Sequence, residues 1–412
     1  IIDKGLITAQ SGGTLTYNFI SPDGHINGNG YFIQNHPAAM DQNGEWIFTN
    51  NRIRVFSLSA PINWSAGQVA TLANVNGFSV TFDGLGFEGA NEYGVFFNNA
   101  ANSVIQNCAI NNNGVFGIRI NNSAGVRVEN DSIVNTNNTA ITASGSANLI
   151  IRGNVLQHIG FAGRGESLGI TNLEYNGVNL MWCGGTVVER NRIINTGYNA
   201  IHFIFGSNHL IQNNYIDDFN TLKDDGGGIY TWNDGFPDLV NNRIIGNIVV
   251  NGRGAVEGLE PSKRWQVTTY GVYLDNNSAN VVISGNSIAN NASSGIFIHN
   301  SNRVEISNNI CYNNGIHPQI DPNFAGQIQF LNDNTQYIRN ITMQGNQFIS
   351  RTANQLIMKW DTRLDDIAIS GVFNNNFYAR PINDNQIARV HVAGWPTAPF
   401  YTCLLYTSDA AD

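Results

Sequence analysis

Residues 105–110 read IQNCAI, 128–133 read VENDSI and 151–156 read IRGNVL, one six-residue phrase written three times at a spacing of 23. The phrase returns as VERNRI at 188–193 and IQNNYI at 211–216, again 23 apart, and as ISGNSI at 283–288 and ISNNIC at 306–311. A fixed period of this length is the mark of a solenoid. In every copy an apolar residue stands first, a bend residue fourth (Cys108, Asp131, Asn154, Asn191, Asn214, Asn286, Asn309) and a second apolar residue sixth. Short strands that turn every few residues and stack like on like from coil to coil give this grammar, which is that of a parallel β-helix. The abundance of Asn fits bends that need left-handed backbone, and an Asn in the bend can bond the stacked backbone beside it.

The spacing lengthens in four places. Asn154 to Asn191 is 37 residues, Asn214 to Asn247 is 33, Asn247 to Asn286 is 39 and Asn309 to Asn346 is 37. Insertions in a solenoid become loops, commonly on the binding face, so the middle of the chain is where function is expected. Coils run from about residue 71 to about 380. Residues 1–70 lack the pattern and read as a β-rich accessory or cap segment, 381–400 as a C-terminal cap, and 401–412 (YTCLLYTSDAAD) as a non-native tail. Caps are expected because open solenoid ends expose unpaired strand edges.

A second strand recurs in each coil: GIRIN at 117–121, GVNLM at 177–181, AIHFI at 200–204, GIYTW at 228–232, GVYLD at 271–275 and GIFIH at 295–299. Strand alternation turns its second and fourth residues inward and its third and fifth outward. Two outward rows result: Arg119, Thr142, Asn179, His202, Tyr230, Tyr273, Phe297, and Asn121, Ser144, Met181, Ile204, Trp232, Asp275, His299. Both become aromatic, imidazole and carboxylate in the middle coils. Tyr230, Trp232 and Tyr273 offer flat faces with polar tips that suit sugar rings, although an aromatic stack can also merely stiffen a sheet. Asn179, His202 and His299 are expected to bond substrate hydroxyls, with plain polar surface as the alternative.

The densest signal is Lys223-Asp224-Asp225-Gly226-Gly227-Gly228, where two carboxylates precede three glycines that let a ligand approach the backbone. Glycoside hydrolysis needs two carboxyl groups, one to protonate the leaving oxygen and one as nucleophile or base. Asp225 lies 11 residues after Asn214 and Glu257 lies 10 after Asn247, a shared phase that predicts stacking of the pair. Asp275, beside Trp232, and Glu174, placed before Gly177 as Asp225 is before Gly228, are the rival partners. Lys223 and Asp224 are expected to contact substrate. No resident cofactor or metal is expected, but Asp217, Asp218, Asp224 and Asp225 are hard oxygen ligands that a Ca²⁺ loop would use.

Composition narrows the partners. Charged residues make up 12% of the chain and the formal net charge is −9, so there is no basic stripe for nucleic acid or an anionic membrane. No apolar run is long enough for a transmembrane helix. The four cysteines, Cys108, Cys183, Cys311 and Cys403, have no metal-ligand spacing, and Cys108 and Cys311 sit too many coils apart to bridge. The chain opens at Ile1 with neither Met nor a signal peptide, as a mature product or a fragment does.

Three stretches, DDGGGIYTW at 224–232, GYNAIHFIFGSNHLIQNNYI at 197–216 and GYFIQNHPAAMDQNGEW at 30–46, resemble the carbohydrate-active right-handed parallel β-helix proteins, most of all the glycoside hydrolases of fucosidase, xylanase and β-xylosidase type. The resemblance spans most of residues 28–316 and departs after Trp46, where IFTNN stands in place of a tyrosine-rich continuation. It implies a secreted or periplasmic enzyme in which Asp225 works with Glu257 or Asp275 on a plant or algal polysaccharide or its oligosaccharides. The alternatives are a polysaccharide lyase, with Lys223, Arg253, Lys263 and Arg264 as neutralising cations, and a non-catalytic glycan-binding solenoid. Oligomeric state is not encoded in these patterns.

Overall fold

The computed structural model describes residues 5–19, 28, 30, 31, 33, 35–60, 65–160, 175–234, 239–321, 325–333, 337–364, 366–380, 387–393, 400 and 401. From Thr71 onward the chain winds through three long sheets, one of thirteen strands and two of eleven. Each coil visits them in turn. Phe116–Asn121 lies in the thirteen-stranded sheet, Arg127–Glu129 in the second and Ser132–Thr136 in the third. Neighbouring coils pair in parallel and in register, as in Ile118 with Ile141, Val128 with Ile151 and Ile110 with Ile133. Like residues therefore stack on like, and one continuous apolar core runs from Val75 to Val392.

Parallel pairing reaches Ala388–Val392, inside the stretch read as a C-terminal cap, so the coils extend further than the 380 boundary. Among the described residues, Phe400–Tyr401 then pairs antiparallel with that last strand. At the other end, Gly5–Ser11 with Thr14–Phe19 and Trp46–Thr49 with Arg52–Val55 form two antiparallel hairpins outside the three sheets.

The six-residue phrase is the corner between the second and third sheets. Its third residue is left-handed in coil after coil, with φ of 56° at Asn107, 59° at Asn130, 55° at Asn213 and 65° at Gly246. Its fourth forms a buried ladder. The backbone N–H of Asn191 donates to Asn214 Oδ1 at 3.0 Å, that of Asn214 to Asn247 Oδ1 at 3.0 Å and that of Asn247 to Asn286 Oδ1 at 2.9 Å. Each amide group also donates back to a carbonyl of the preceding coil, as Asn191 does to Ile151 O at 2.9 Å. The ladder thereby satisfies backbone groups that a buried corner would otherwise leave orphaned.

Asp131 is the ladder's one carboxylate. It accepts from the Cys108 N–H at 2.7 Å through Oδ1, while Oδ2 is buried without a partner. Burial pushes its pKa up to about 7. A pKa raised on folding means the native state holds a proton that the unfolded chain releases near pH 4, so stability falls as pH rises from about 4 to about 7 and is flat beyond. Asp131→Asn supplies the missing donor permanently. It is expected to raise Tm at pH 8 more than at pH 5, and an equal change in Tm at both pH values would contradict this account.

Described loop residues 251–268 and 313–321 precede strands of the thirteen-stranded sheet, and 239–241 and 337–340 follow others. Between these loops, the outward face of that sheet is the candidate groove. The N-terminal segment joins one of these loops, where the Gly30 N–H donates to Gly258 O at 2.8 Å.

Candidate functional site

The glycine-rich turn feeds the strand Gly226–Thr231 at the centre of this groove. Glycine is needed for close approach. A Cβ on Gly226 would lie 2.4 Å from Asn199 Oδ1, and one on Gly228 2.3 Å from a Val249 methyl. The Gly227 N–H donates to the same Asn199 oxygen at 2.8 Å. Just before the strand, Asp225 sits at φ 61° in the left-handed region, with its backbone carbonyl accepting from Tyr198 Oη at 2.6 Å.

Asp225 is exposed, yet protein crowds around it. That crowding and the charges of Asp275 and Asp224 raise its pKa to about 6, against an opposing pull from His299. Among the described residues its carboxyl accepts no hydrogen bond. Asp275 lies past the far end of the next strand and is tightly held. Its Oδ2 accepts from Tyr230 Oη at 2.9 Å, and its Oδ1 from the Asn276 N–H at 2.8 Å and from His299 Nδ1 at 2.8 Å. The other His299 nitrogen meets Asp333 Oδ1 at 3.0 Å. Burial opposes a charge on that ring, but two carboxylates outweigh it and raise the His299 pKa, favouring imidazolium.

Tyr198, Tyr230, Tyr270 and Tyr273 lie in the field of both acids. All four phenols are pushed up, first by burial and then by charges that include both Asp225 and Asp275. The site therefore presents an unengaged carboxyl with raised pKa, a second carboxylate braced by three donors, and an aromatic floor.

Several expected site residues lie elsewhere. Glu257 does not stack on Asp225. It is exposed in a turn at 257–258, well ahead of the strand that begins at Thr269, because a phase counted from the ladder is lost inside an insertion. His202 is fully buried rather than facing substrate, with its ring stacked on Tyr230 at 5.1 Å and Nδ1 bonded to Asn179 Oδ1 at 2.8 Å. Asn179 is buried with it. Lys223 is buried too, its ammonium over the Tyr175 ring at 4.4 Å and the Tyr198 ring at 5.4 Å. Asp224 braces the groove instead of lining it, accepting from the Thr268 N–H at 2.9 Å and Thr269 Oγ1 at 2.5 Å. Tyr230 and Tyr273 are buried and Trp232 is half-buried, so the tyrosines are floor rather than open platforms. Glu174 lies outside the described residues.

Three of the four aspartates of the suggested Ca²⁺ loop are engaged separately, and among the described residues Asp225 is the one whose carboxyl is not. Asp217 accepts from Asn251, Asp218 pairs with Arg253 and Asp224 takes the two threonines. Among the described residues no group of three or more His, Cys, Asp or Glu side chains converges on a metal position. The sequence reading missed Asp333, Tyr198 and Tyr270. Asp333 opens one of the insertions already visible in the spacing, and the tyrosines flank the glycine-rich turn and its neighbour strand.

No curated protein matches the chain. Among solved structures, a double mutant of the periplasmic alginate epimerase AlgG aligns at 13% identity and a TM-score of 0.46, over 72% of this chain; this chain spans 61% of that protein. The A-module of the mannuronan C-5 epimerase AlgE6 of Azotobacter vinelandii aligns at 13% identity and TM-score 0.41, covering 79% of this chain and 81% of its own. An alginate lyase from Paenibacillus sp. str. FPU-7 aligns at 13% identity and TM-score 0.43, covering 78% and 98%. The sequence pattern described as "Right handed beta helix region" matches residues 38–172, 71–244, 165–363 and 246–394 in overlapping blocks. With most of its length inside those blocks and three parallel sheets stacked coil on coil, the chain belongs to the right-handed parallel β-helix family.

Proposed function

We propose that this chain is a glycoside hydrolase that works outside the cytoplasm on a plant or algal polysaccharide or its oligosaccharides. The observation that carries the reading is the electrostatic coupling of an exposed carboxyl of raised pKa, Asp225, to the braced carboxylate Asp275, with the same tyrosines in the field of both. Breaking a glycosidic bond requires a proton for the leaving oxygen and a second carboxylate for the anomeric carbon or its attacking water. Asp225 fits the first role, because its pKa of about 6 leaves it substantially protonated in mildly acidic solution. Asp275 fits the second. Tyr230 and the Asn276 N–H fix its position, and His299, charge-balanced by Asp333, keeps positive charge beside it.

The sign of the pH dependence follows. Asp225 must carry its proton, so kcat is expected to be high below about pH 6 and to fall roughly tenfold per unit above it. A pH–rate profile on the substrate cleaved checks this. A rate that climbs through pH 6 and stays high in alkaline solution would overturn the assignment of Asp225 as the acid.

A lyase on the same groove would take a proton next to a uronate carboxylate and needs a cation to neutralise that group. The cations named for it are committed elsewhere. Lys223 lies over tyrosine rings, Arg253 pairs with Asp218, Lys263 is 3.9 Å from Glu260, and Arg264 bonds the carbonyls of Leu259 and Glu257. Among the described residues His299 is the remaining cation near the acids, and it is clamped between two carboxylates. Hydrolysis is therefore the better supported reaction.

A further inference from the structure

The corner just after a strand of the thirteen-stranded sheet is left-handed in several coils, though not in those of Gly226–Thr231 and Thr269–Leu274. Asn99, Asn122, Gly145 and Asn300 occupy it with φ of 50°, 48°, 59° and 47°. Asn and Gly are the residues that tolerate this region best. Two coils break the pattern. Trp182 and Phe205 stand at the same corner with φ of 55° and 57°, a conformation that large side chains rarely adopt. The corner's own hydrogen bonding does not require them, because the Asn122, Gly145 and Trp182 N–H groups each donate to the carbonyl of the next coil alike, at 3.0, 3.1 and 3.1 Å.

These strained positions carry an aromatic track. The Trp182 and Phe205 rings stack at 4.5 Å and 30°, and Phe205 meets Trp232 edge-on at 5.6 Å. Trp232 in turn packs against the cluster of Tyr230, Tyr270, Tyr273 and Phe297 that floors the site. The track thus runs from the acids along the groove edge to Trp182, which is 49% exposed. An indole held in an unfavourable backbone conformation and left half in water keeps a face open to a ligand. Strain of this kind collects where a side chain meets a ligand.

We infer that Trp182 is the stacking platform of a distal glycan subsite, three coils or roughly 14 Å from the Asp275 coil, so that the groove takes a chain of several sugars rather than a single residue. The inference rests on the glycan reading above and deepens it. The flat indole face suits the C–H face of a pyranose or furanose ring, while the polar end of the indole stays wet. Phe205 stacks on the indole, and Trp232 beyond it extends the apolar strip toward the acids.

The test compares wild type with Trp182→Asn and Trp182→Tyr in the full chain. Asn is the native residue at this corner in other coils, at Asn99, Asn122 and Asn300, so Trp182→Asn is expected to fold with an unchanged or higher Tm. The probes are the disaccharides and hexasaccharides of xylan, polygalacturonate and alginate, with affinity read by calorimetry. For the hexasaccharide that wild type binds, Trp182→Asn is expected to weaken binding about fivefold to tenfold, Trp182→Tyr much less, and the loss is expected to be several times smaller for the matching disaccharide. Equal affinity of wild type and Trp182→Asn for the hexasaccharide would overturn the subsite while leaving the glycan reading in place. A loss of the same size for both lengths, or a fall in Tm with it, would overturn it in favour of a packing role. If wild type binds none of the six probes, the glycan reading fails and takes this inference with it.

Discussion

Asp225→Asn is expected to lower kcat on the order of 10²- to 10⁴-fold while leaving folding and glycan binding intact. The structure makes this substitution unusually clean. The Asp225 carboxyl bonds nothing among the described residues, its backbone holds the left-handed φ of 61° that Asn adopts as readily, and the bond from Tyr198 reaches the backbone carbonyl, which the substitution keeps. Only the ionisable proton is lost. A thermal melt and an equilibrium binding measurement on the variant separate the roles. Unchanged Tm with lost turnover supports an acid at this position, whereas retained turnover would remove Asp225 from the mechanism. A fall in Tm would be equally damaging to the account, since it would mean the carboxyl has a structural partner.

The largest effect on stability is expected at the ladder, with Asn247→Ala. Asn247 is buried in the coils that carry the site, and its Oδ1 accepts both the backbone N–H and the amide N–H of Asn214, at 3.0 and 2.9 Å. Its amide group donates to Ile211 O at 3.0 Å and to Asn286 Oδ1 at 3.0 Å. Alanine therefore strands two donors of Asn214 and the carbonyl of Ile211 where no water reaches. At about 1–3 kcal/mol for each buried group left unmade, partly relieved by relaxation, the loss is about 3–5 kcal/mol. That is a large share of the roughly 5–15 kcal/mol that separates folded from unfolded chains. Because coils stack on nearest neighbours, the damage should concentrate in the middle coils. Denaturant unfolding measures it, and hydrogen exchange locates it. A loss under about 1 kcal/mol would show that the ladder is decoration rather than a support.

Sequence made the coil legible and the cleft only partly so, for a physical reason that Asp225, Glu257 and His202 illustrate. A stacked solenoid repeats its own register, so the row Arg119, Thr142, Asn179, His202, Tyr230, Tyr273, Phe297 could be aligned by spacing alone, and the strands pair in that order. Alternation says which way a side chain leaves the backbone. It does not say what lies over it, and His202 leaves the core face only to be buried against Tyr230 and Asn179. Glu257 fails differently. Its phase matched that of Asp225, but a count of residues has spatial meaning only where every coil has the same length, and the loop at 251–268 breaks that condition. Asp275 escaped the difficulty because it directly follows a strand whose register is fixed. Asp333 shows the converse, a residue at the mouth of an insertion that no repeat phase could flag, brought to His299 by the loop itself. Trp182 and Phe205 were visible as letters in the sequence, but their oddity appears only once the corner is known to be left-handed.

The most direct test of the central claim is the chemistry of the product. Wild-type protein is incubated with xylan, arabinan, polygalacturonate and alginate at mildly acidic pH, and new reducing ends and the ultraviolet absorbance of unsaturated uronate are followed together. Hydrolysis by the Asp225–Asp275 pair is expected to release reducing ends from one of these polymers with no rise in absorbance. Absorbance rising in step with reducing ends would replace hydrolysis by elimination, and no new ends from any polymer that the protein binds would contradict an enzyme at this site.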